Sequence, residues 1–176
     1  MKTLFLFFLL SPVLVFCQKD TSNQSLIEKI SQKSGSLIKK EFENIGSIKG
    51  QNLSIDLLRI SSLSEPSLKQ INGCRIEVTN TYSTYTAFLD ADELGALINA
   101  MRIIQTTVFP DTATKYTEVI FKSKSGFQIG CYFDVKAKEW SAFVQVVTYT
   151  DKSIVFLAPS DFTKLAGLIQ TVINKL

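Results

Sequence analysis

The sequence predicts an α+β domain in which helices pack on an antiparallel sheet of about seven strands. Short alternating or β-branched runs between tight turns indicate strands, and three longer stretches carry apolar residues at helical spacing. One unit also occurs twice: residues 86–104 and 154–176 each begin as a short apolar strand and continue as an amphipathic helix. Because strands joined by short turns pair antiparallel and the helices must cover a face of the sheet, a two-layer domain follows.

The predicted order is α-βββ-α-ββββ-α, and its first half begins with a helix over residues 25–45. Ser34-Gly35-Ser36 weakens the middle of this helix and favours a break there. Strands follow at residues 52–60, 68–79 and 81–89. Asn72-Gly73 is a hairpin signal that would split the second of these strands. The matching Gly130-Cys131 lies mid-strand, which favours an unbroken strand with a bulge at Gly73. Asp92 is the predicted cap of a helix that runs to about residue 106.

The second half is predicted to contain four strands and a helix. The strands cover residues 116–122, 127–135, 140–149 and 154–157, and Ser160 is the predicted cap of the last helix. Residues 52–106 and 116–176 then form two pseudo-repeats within a single domain, residues 25–176. The pattern is consistent with an internal duplication.

Residues 1–17 have the pattern of a signal peptide. Lys2 precedes an almost uninterrupted apolar run over residues 4–16, which is too short for a membrane span of about 20 residues. We expect cleavage after Cys17, which leaves residues 18–24 as a flexible leader. The alternatives are a lipoprotein anchored at Cys17, against which the bulky Phe16 argues, and an uncleaved anchor. The protein is therefore expected to be exported, secreted or periplasmic, with membrane attachment only if Cys17 is lipidated.

Export places Cys74 and Cys131, the two cysteines of the expected mature chain, in a compartment that permits disulfides. A bridge between them would close a loop of about 58 residues and stabilise the fold by about 4 kcal/mol on the chain-entropy model. The alternative is a pair of buried free thiols that pack as small apolar side chains. The sequence supplies no Cα separation, so both arrangements stay open.

The composition excludes several classes of function. The chain contains no histidine, which excludes Ser-His-Asp and Cys-His nucleophile systems and histidine-based metal sites. A net charge of +3 without a basic stripe argues against a nucleic-acid partner. There is no phosphate-binding loop, dinucleotide fingerprint or nucleophile elbow. We therefore predict no catalytic residue, no cofactor and no metal.

Aromatic residues on the predicted strands are the main candidate for a binding surface. They could form a platform for sugars or a peptide, although ordinary sheet packing explains them as well. Residues 140–149 have two apolar faces, so this strand is either central and covered on both sides, which we favour, or it exposes one face to a partner. The first face carries Trp140, Ala142, Val144 and Val146, and the second carries Phe143, Val147 and Tyr149. The candidate partner-binding residues are Trp140, Phe143, Val147, Tyr149 and Tyr132.

Two charged clusters have structural explanations that we favour. Asp90, Asp92 and Glu93 could hold Ca²⁺ or act as an acid/base pair, but acidic residues are also typical of a helix start, and no glycine follows at calcium-loop spacing. Four lysines at two turns could meet an acidic partner, but a solvated rim is the favoured interpretation. They are Lys122, Lys124, Lys136 and Lys138.

We expect a small exported, non-enzymatic binding module with a protein or peptide partner. The first alternative is a carrier that holds an apolar small molecule between sheet and helices, in a cavity lined by Phe121, Phe127, Phe133 and Phe143. The second is an enzyme without histidine that uses carboxylates or lysine together with tyrosine.

Overall fold

The computed structural model describes residues 24–65, 67 and 69–176. The predicted signal peptide, Cys17 and the predicted leader apart from Gln24 lie outside these residues. None of the described helices has the length and apolarity that a membrane crossing requires. The helices are α1 (Leu26–Ser31), α2 (Ala91–Ile103) and α3 (Pro159–Asn174), and the strands are β1 (Ile38–Ile48), β2 (Leu53–Ser62), β3 (Ile71–Thr79), β4 (Thr84–Asp90), β5 (Glu118–Lys122), β6 (Gln128–Asp134), β7 (Glu139–Gln145) and β8 (Ile154–Leu157).

The strands form two four-stranded antiparallel sheets, in the orders β1-β2-β3-β4 and β5-β6-β7-β8. The predicted α+β class with antiparallel pairing is confirmed. The prediction of about seven strands in one sheet, in the order α-βββ-α-ββββ-α, is wrong, because the described chain has eight strands in two sheets. Each half of the chain follows the same plan, four strands and then a helix.

The additional strand is β1, which occupies the second part of the predicted helix over residues 25–45. That helix breaks after Ser31, and residues 38–48 pair with β2 from Ile38↔Ser62 to Ile48↔Leu53. A register shift between Asn44 and Gly46 interrupts the alternation of the strand. Since a bulge adds one residue to the period of two, it makes the apolar spacing resemble that of a helix.

Gly73 lies inside an unbroken strand, as the match with Gly130 predicted. The predicted bulge at Gly73 is wrong, because the register of β3 with β2 and with β4 is continuous there. A Cβ at Gly73 would collide with the Leu89 carbonyl oxygen, and one at Gly130 with the Val119 carbonyl oxygen. Both glycines therefore permit a close approach of the neighbouring strand. They nevertheless lie on the third strand of the first sheet and the second strand of the second sheet, so the two positions are not equivalent in chain order.

Both predicted helix caps are displaced towards the preceding strand. The N-cap of α2 is Asp90 rather than Asp92, and its backbone N–H donates to Glu93 Oε2 at 3.0 Å. The N-cap of α3 is Ala158 rather than Ser160, and Pro159 occupies the first helical position, where its missing N–H costs nothing. The N-cap of α1 is Ser25, whose hydroxyl oxygen accepts a hydrogen bond from the N–H of Glu28 at 3.1 Å.

The inner faces of the two sheets and the apolar faces of α2 and α3 contribute to one core. Helix α3, from the second half, packs on the first sheet: Leu168 fills the space beside Gly46, and Lys175 Nζ lies 2.5 Å from Glu43 Oε1. The halves also meet at Phe109 and Phe162, whose ring centroids are 5.4 Å apart. Helix α3 therefore packs against strands of both sheets.

The outer faces of the two sheets differ. Helix α1 covers part of the first outer face, where Ile27 packs in a second apolar cluster with Leu58 and Ile60. The Asp90 carboxylate holds α1 in place by accepting hydrogen bonds from the N–H groups of Leu26 and Ile27. In the described part of the chain, no helix lies over the outer face of the second sheet.

Candidate functional site

β7 was singled out in the sequence as a strand with two apolar faces, and it lies between β6 and β8 in the second sheet. Ala142 and Val144 are buried on its inner face, together with the half-buried Trp140. Phe143 is half-buried on the outer face. Trp140 and Phe143 therefore project from opposite sides of the sheet and do not form one surface.

The strand ends earlier than predicted. β7 stops at Gln145, whereas the prediction extended the strand to residue 149. Val147 and Tyr149 lie beyond it, and Tyr149 has a left-handed backbone (φ 66°) and a fully exposed side chain. Ser153 explains the end of the strand: its hydroxyl donates to the Val147 carbonyl oxygen at 2.9 Å and accepts from the N–H of Val147 at 3.1 Å. The backbone groups of Val147 are therefore bonded to a side chain within the turn instead of to a neighbouring strand.

The outer face of the second sheet carries a set of exposed and half-buried aromatic and aliphatic side chains. Its central row follows the strand register Ile120↔Gly130, Gly130↔Phe143 and Phe143↔Phe156. Phe156 is 57% exposed and Ile120 is 42% exposed. The Tyr132 ring centroid lies 6.3 Å from that of Phe156 and 6.3 Å from that of Tyr116. We call this set the outer patch; its members are Tyr116, Ile120, Tyr132, Phe143 and Phe156.

Only Phe143 and Tyr132 of the outer patch were among the candidate residues in the sequence. The pattern of residues 140–149 does not indicate the other three members, because Phe156 lies on β8, Ile120 lies on β5 and Tyr116 lies two residues before β5. Only the register between strands places them beside Phe143. The signal that could have found them is the alternation within the segments 116–122 and 154–157. It places Tyr116, Ile120 and Phe156 opposite the side chains that enter the core.

Polar groups border the outer patch beside Tyr116 and Tyr132. The Tyr116 hydroxyl donates a hydrogen bond to the Glu118 carboxylate, and this bond raises the pKa of Tyr116. At the β6–β7 turn, the Asp134 carboxylate accepts from the N–H groups of Ala137 at 3.1 Å and Lys136 at 2.8 Å, and these bonds lower the pKa of Asp134. A shallow cleft of about 340 Å³ lies between Tyr116, Tyr132 and this turn. The arrangement is an apolar surface with polar and charged groups along the border at its Tyr116–Tyr132 end, and such a polar border is typical of protein interfaces.

The acidic cluster Asp90, Asp92 and Glu93 has its oxygens within 4.8 Å of one another, close enough to share a cation. Each carboxylate nevertheless has a structural partner. Asp90 Oδ2 accepts from the Leu26 N–H at 2.7 Å, and Glu93 Oε1 accepts from the Lys124 N–H at 2.7 Å. Lys124 Nζ lies 2.8 Å from Asp92 Oδ2. The cluster joins α1, α2 and the β5–β6 turn, and Lys124 is part of this junction instead of a lysine rim.

The predicted disulfide alternative is wrong for this structure, because Cys74 and Cys131 are both free and buried. Cys74 lies on β3 and Cys131 on β6, in different sheets. Burial raises the pKa of Cys74 strongly, with a further contribution from the negative charge of Asp56, and burial raises the pKa of Cys131 to about 11. Neither thiol is therefore a nucleophile near neutral pH.

Two adjoining clefts of about 370 and 490 Å³ flank Trp140. Asp111 and Thr112 line both clefts. The Trp140 indole N–H donates to the Asp111 carbonyl oxygen at 2.8 Å, which ties the segment between the two halves to β7. Of the four phenylalanines proposed to line a carrier cavity, only Phe133 borders either cleft, whereas Phe127 is buried in the core.

Comparison of the chain with protein-family models, with curated proteins and with solved structures gave no match.

Proposed function

We propose that this protein is a small exported, non-enzymatic binding module, and that the outer patch binds a protein or peptide partner. One observation carries the proposal. The two sheets are built alike, and α1 covers part of the outer face of the first, whereas no helix of the described chain covers the outer face of the second. Exposed aromatic side chains that cluster in the middle of a polar rim are enriched at protein interfaces.

The first sheet suggests which partner fits. On β3, Ile27 of α1 occupies the space that a side chain of Gly73 would need. On β6, Gly130 lies in the central row of the outer patch, with Ile120 on one side and Phe143 on the other. A partner helix that presents one apolar side chain over this row would repeat the packing of α1. We therefore propose that the partner is an amphipathic helix of another protein.

The absence of histidine and the engaged carboxylates favour binding over catalysis. Asp90 and Glu93 accept hydrogen bonds from backbone N–H groups, so their carboxylate oxygens stabilise the fold. The two buried cysteines have raised pKa values, which removes the usual thiolate nucleophile. Export is part of the proposal and rests on the pattern of residues 1–17, with a lipoprotein anchored at Cys17 as the alternative.

The proposal can be tested by selecting amphipathic helical peptides from a displayed library against the mature chain, residues 18–176. We expect the selected peptides to lose about tenfold or more in affinity for Phe156→Ser and Tyr132→Ser, since central aromatic residues dominate interface energies. Tyr82→Ser is the matched control, because Tyr82 is 94% exposed on the first half of the chain. Peptides that bind all three variants equally, or a library that yields no helical binder, would refute an outer-patch site.

A second candidate function, a small-molecule site, is favoured by the two clefts beside Trp140. Their combined lining includes the aromatic rings of Trp140 and Phe133 together with Asp111 and Thr112. Trp140 is the only tryptophan in the chain, so its fluorescence reports directly on this place. A saturable change in that fluorescence on addition of a ligand, abolished by Asp111→Ala, would favour this function over the outer patch.

A further inference from the structure

The open edge of β5 is the feature from which we draw a further inference, independent of the outer patch as a binding site. β5 pairs with β6 and with no other strand in the residues that the structure describes. An edge strand presents a row of backbone donors and acceptors to which another strand can add. The sequence of β5 indicates what kind of strand would fit.

The backbone of β5 can be oriented from two hydrogen bonds to the β6 side. The Phe133 N–H donates to the Thr117 carbonyl oxygen at 2.9 Å, and the Ser123 N–H donates to the Phe127 carbonyl oxygen at 2.9 Å. In an antiparallel ladder, the N–H and C=O of one residue point to the same side, and this side alternates along the strand. The N–H and C=O groups of Glu118, Ile120 and Lys122 therefore point to the open edge.

The side chains of these three residues are exposed on the outer face. Their charges are arranged symmetrically, with an acid and a base on either side of Ile120. Two antiparallel copies of β5 centred on Ile120 would place Glu118 opposite Lys122 of the second copy, and Lys122 opposite its Glu118. Opposite charges at directly facing positions stabilise such a pair, and like charges destabilise it.

The charge pattern of β5 and the orientation of its backbone groups are symmetric about the same residue, Ile120. The residues that complement one another in charge are the same residues whose backbone groups point to the open edge. Each facing pair could therefore exchange both N–H···O bonds, at a Cα separation of about 5.5 Å. β8 lacks this pattern, because its four residues, Ile154–Leu157, carry no charge.

The inner side of the edge has room for a second copy. Val119 and Phe121 are half-buried on that side, and Val119 lines the cleft of about 490 Å³ that extends to Thr107 and Trp140. In the antiparallel arrangement, Val119 faces Phe121 of the second copy.

We propose that the protein forms a twofold homodimer by antiparallel pairing of β5 with β5 of a second copy, which joins two four-stranded sheets into one of eight strands. A twofold interface uses the same surface on both copies, as this self-complementary strand requires. The paired segment is short, so the contact is smaller than a standard interface and its affinity is modest. Its dissociation constant rises with salt, because two exposed charge pairs contribute to it.

The test is sedimentation equilibrium of the mature chain over a wide range of concentration. Wild type is expected to show a monomer–dimer equilibrium. Glu118→Lys and Lys122→Glu each place like charges opposite one another twice, so each is expected to raise the dissociation constant about tenfold. The double variant E118K/K122E restores opposite charges and is expected to return the constant to within about threefold of wild type. If either residue only stabilised the fold of the monomer, exchanging the two charges would not restore dimerisation.

Two controls separate β5 pairing from other modes of association. Lys49→Glu makes the same charge change as Lys122→Glu at an exposed position of the turn Lys49–Gln51, which contacts β8 at the opposite edge of the second sheet, and it is expected to leave the dimer intact. Phe156→Ser alters the outer patch on the opposite edge strand and is also expected to have no effect. A monomer at every accessible concentration would overturn the proposal. So would a dimer lost in Phe156→Ser but not in Glu118→Lys, or a double variant that fails to recover.

Discussion

Asp90 Oδ1 accepts a hydrogen bond from the backbone N–H of Ile27 at 3.1 Å, which joins two residues 63 positions apart in the chain. The second oxygen of the same carboxylate accepts from the N–H of Leu26 at 2.7 Å. One buried side chain therefore serves the start of α1 and the start of α2 together. Because α1 covers apolar residues of the first outer face, this contact is what distinguishes the two sheets on their outer sides.

Asp90→Asn is expected to lower the free energy of unfolding by about 2 kcal/mol, because an amide offers one acceptor oxygen where the carboxylate offers two charged ones. Chemical denaturation measures this loss. Hydrogen exchange is expected to accelerate first in α1, whose N–H groups lose their partner.

The matched control for Asp90→Asn is Asp92→Asn, in the same cluster. The Asp92 side chain is 68% exposed and contacts Lys124, so its removal is expected to cost less than about 1 kcal/mol. Equal losses for the two variants would contradict the anchoring role of Asp90.

The sequence predicts the second half of this fold better than the first. The segments 116–122, 127–135 and 154–157 match β5, β6 and β8 closely, because clear turns bound them and their alternation is uninterrupted. The sequence predicts a helix where β1 lies, because the register shift near Gly46 disturbs the period of two. Its pairing with β2 is a long-range contact that local propensity does not encode.

The candidate site was predicted only in part for the same reason. Phe143 and Tyr132 are recognisable as strand aromatics, but their neighbours Ile120 and Phe156 depend on the register between strands. The exposure of the outer patch also depends on where α1 packs, and this follows from the contact between Asp90 and Ile27. Neither relationship has a local sequence signal.

Gly130→Ala and Gly167→Ala are the same chemical change with opposite expected effects. A Cβ at position 130 would collide with the Val119 carbonyl oxygen, so this variant is expected to lose more than about 1 kcal/mol of unfolding free energy. Gly167 lies in α3 with nothing within 4 Å of its added Cβ, so Gly167→Ala is expected to gain about 0.5–1 kcal/mol from helix propensity. Urea denaturation of both variants measures the difference, and a neutral Gly130→Ala would refute the close approach of β5.

Thiol labelling tests the two buried cysteines. Burial raises the pKa of Cys131 to about 11, so at pH 8 only about one molecule in a thousand carries its thiolate, and burial shifts the pKa of Cys74 in the same direction. The folded chain of residues 18–176 is therefore expected to react negligibly with Ellman's reagent over an hour. Denaturation without a reducing agent is expected to release two reactive thiols per chain. If denaturation released none, the cysteines would be bridged after all.

Asp134 is expected to make stability depend on pH in the acid range. The N–H groups of Ala137 and Lys136 bind its charged carboxylate, so the pKa of Asp134 in the folded protein lies below that in the unfolded chain. Its contribution is fully present above the unfolded pKa and is lost as the pH falls through the folded pKa.

A side-chain NMR titration is expected to place the pKa of Asp134 below the ordinary aspartate range. Lys136→Gln is expected to leave most of this pKa shift, because backbone N–H groups are its main cause. Asp134→Asn should destabilise the protein at pH 7 but not at a pH below both pKa values. A difference that persists at the lower pH would assign the effect to the shape of the turn instead of to its charge.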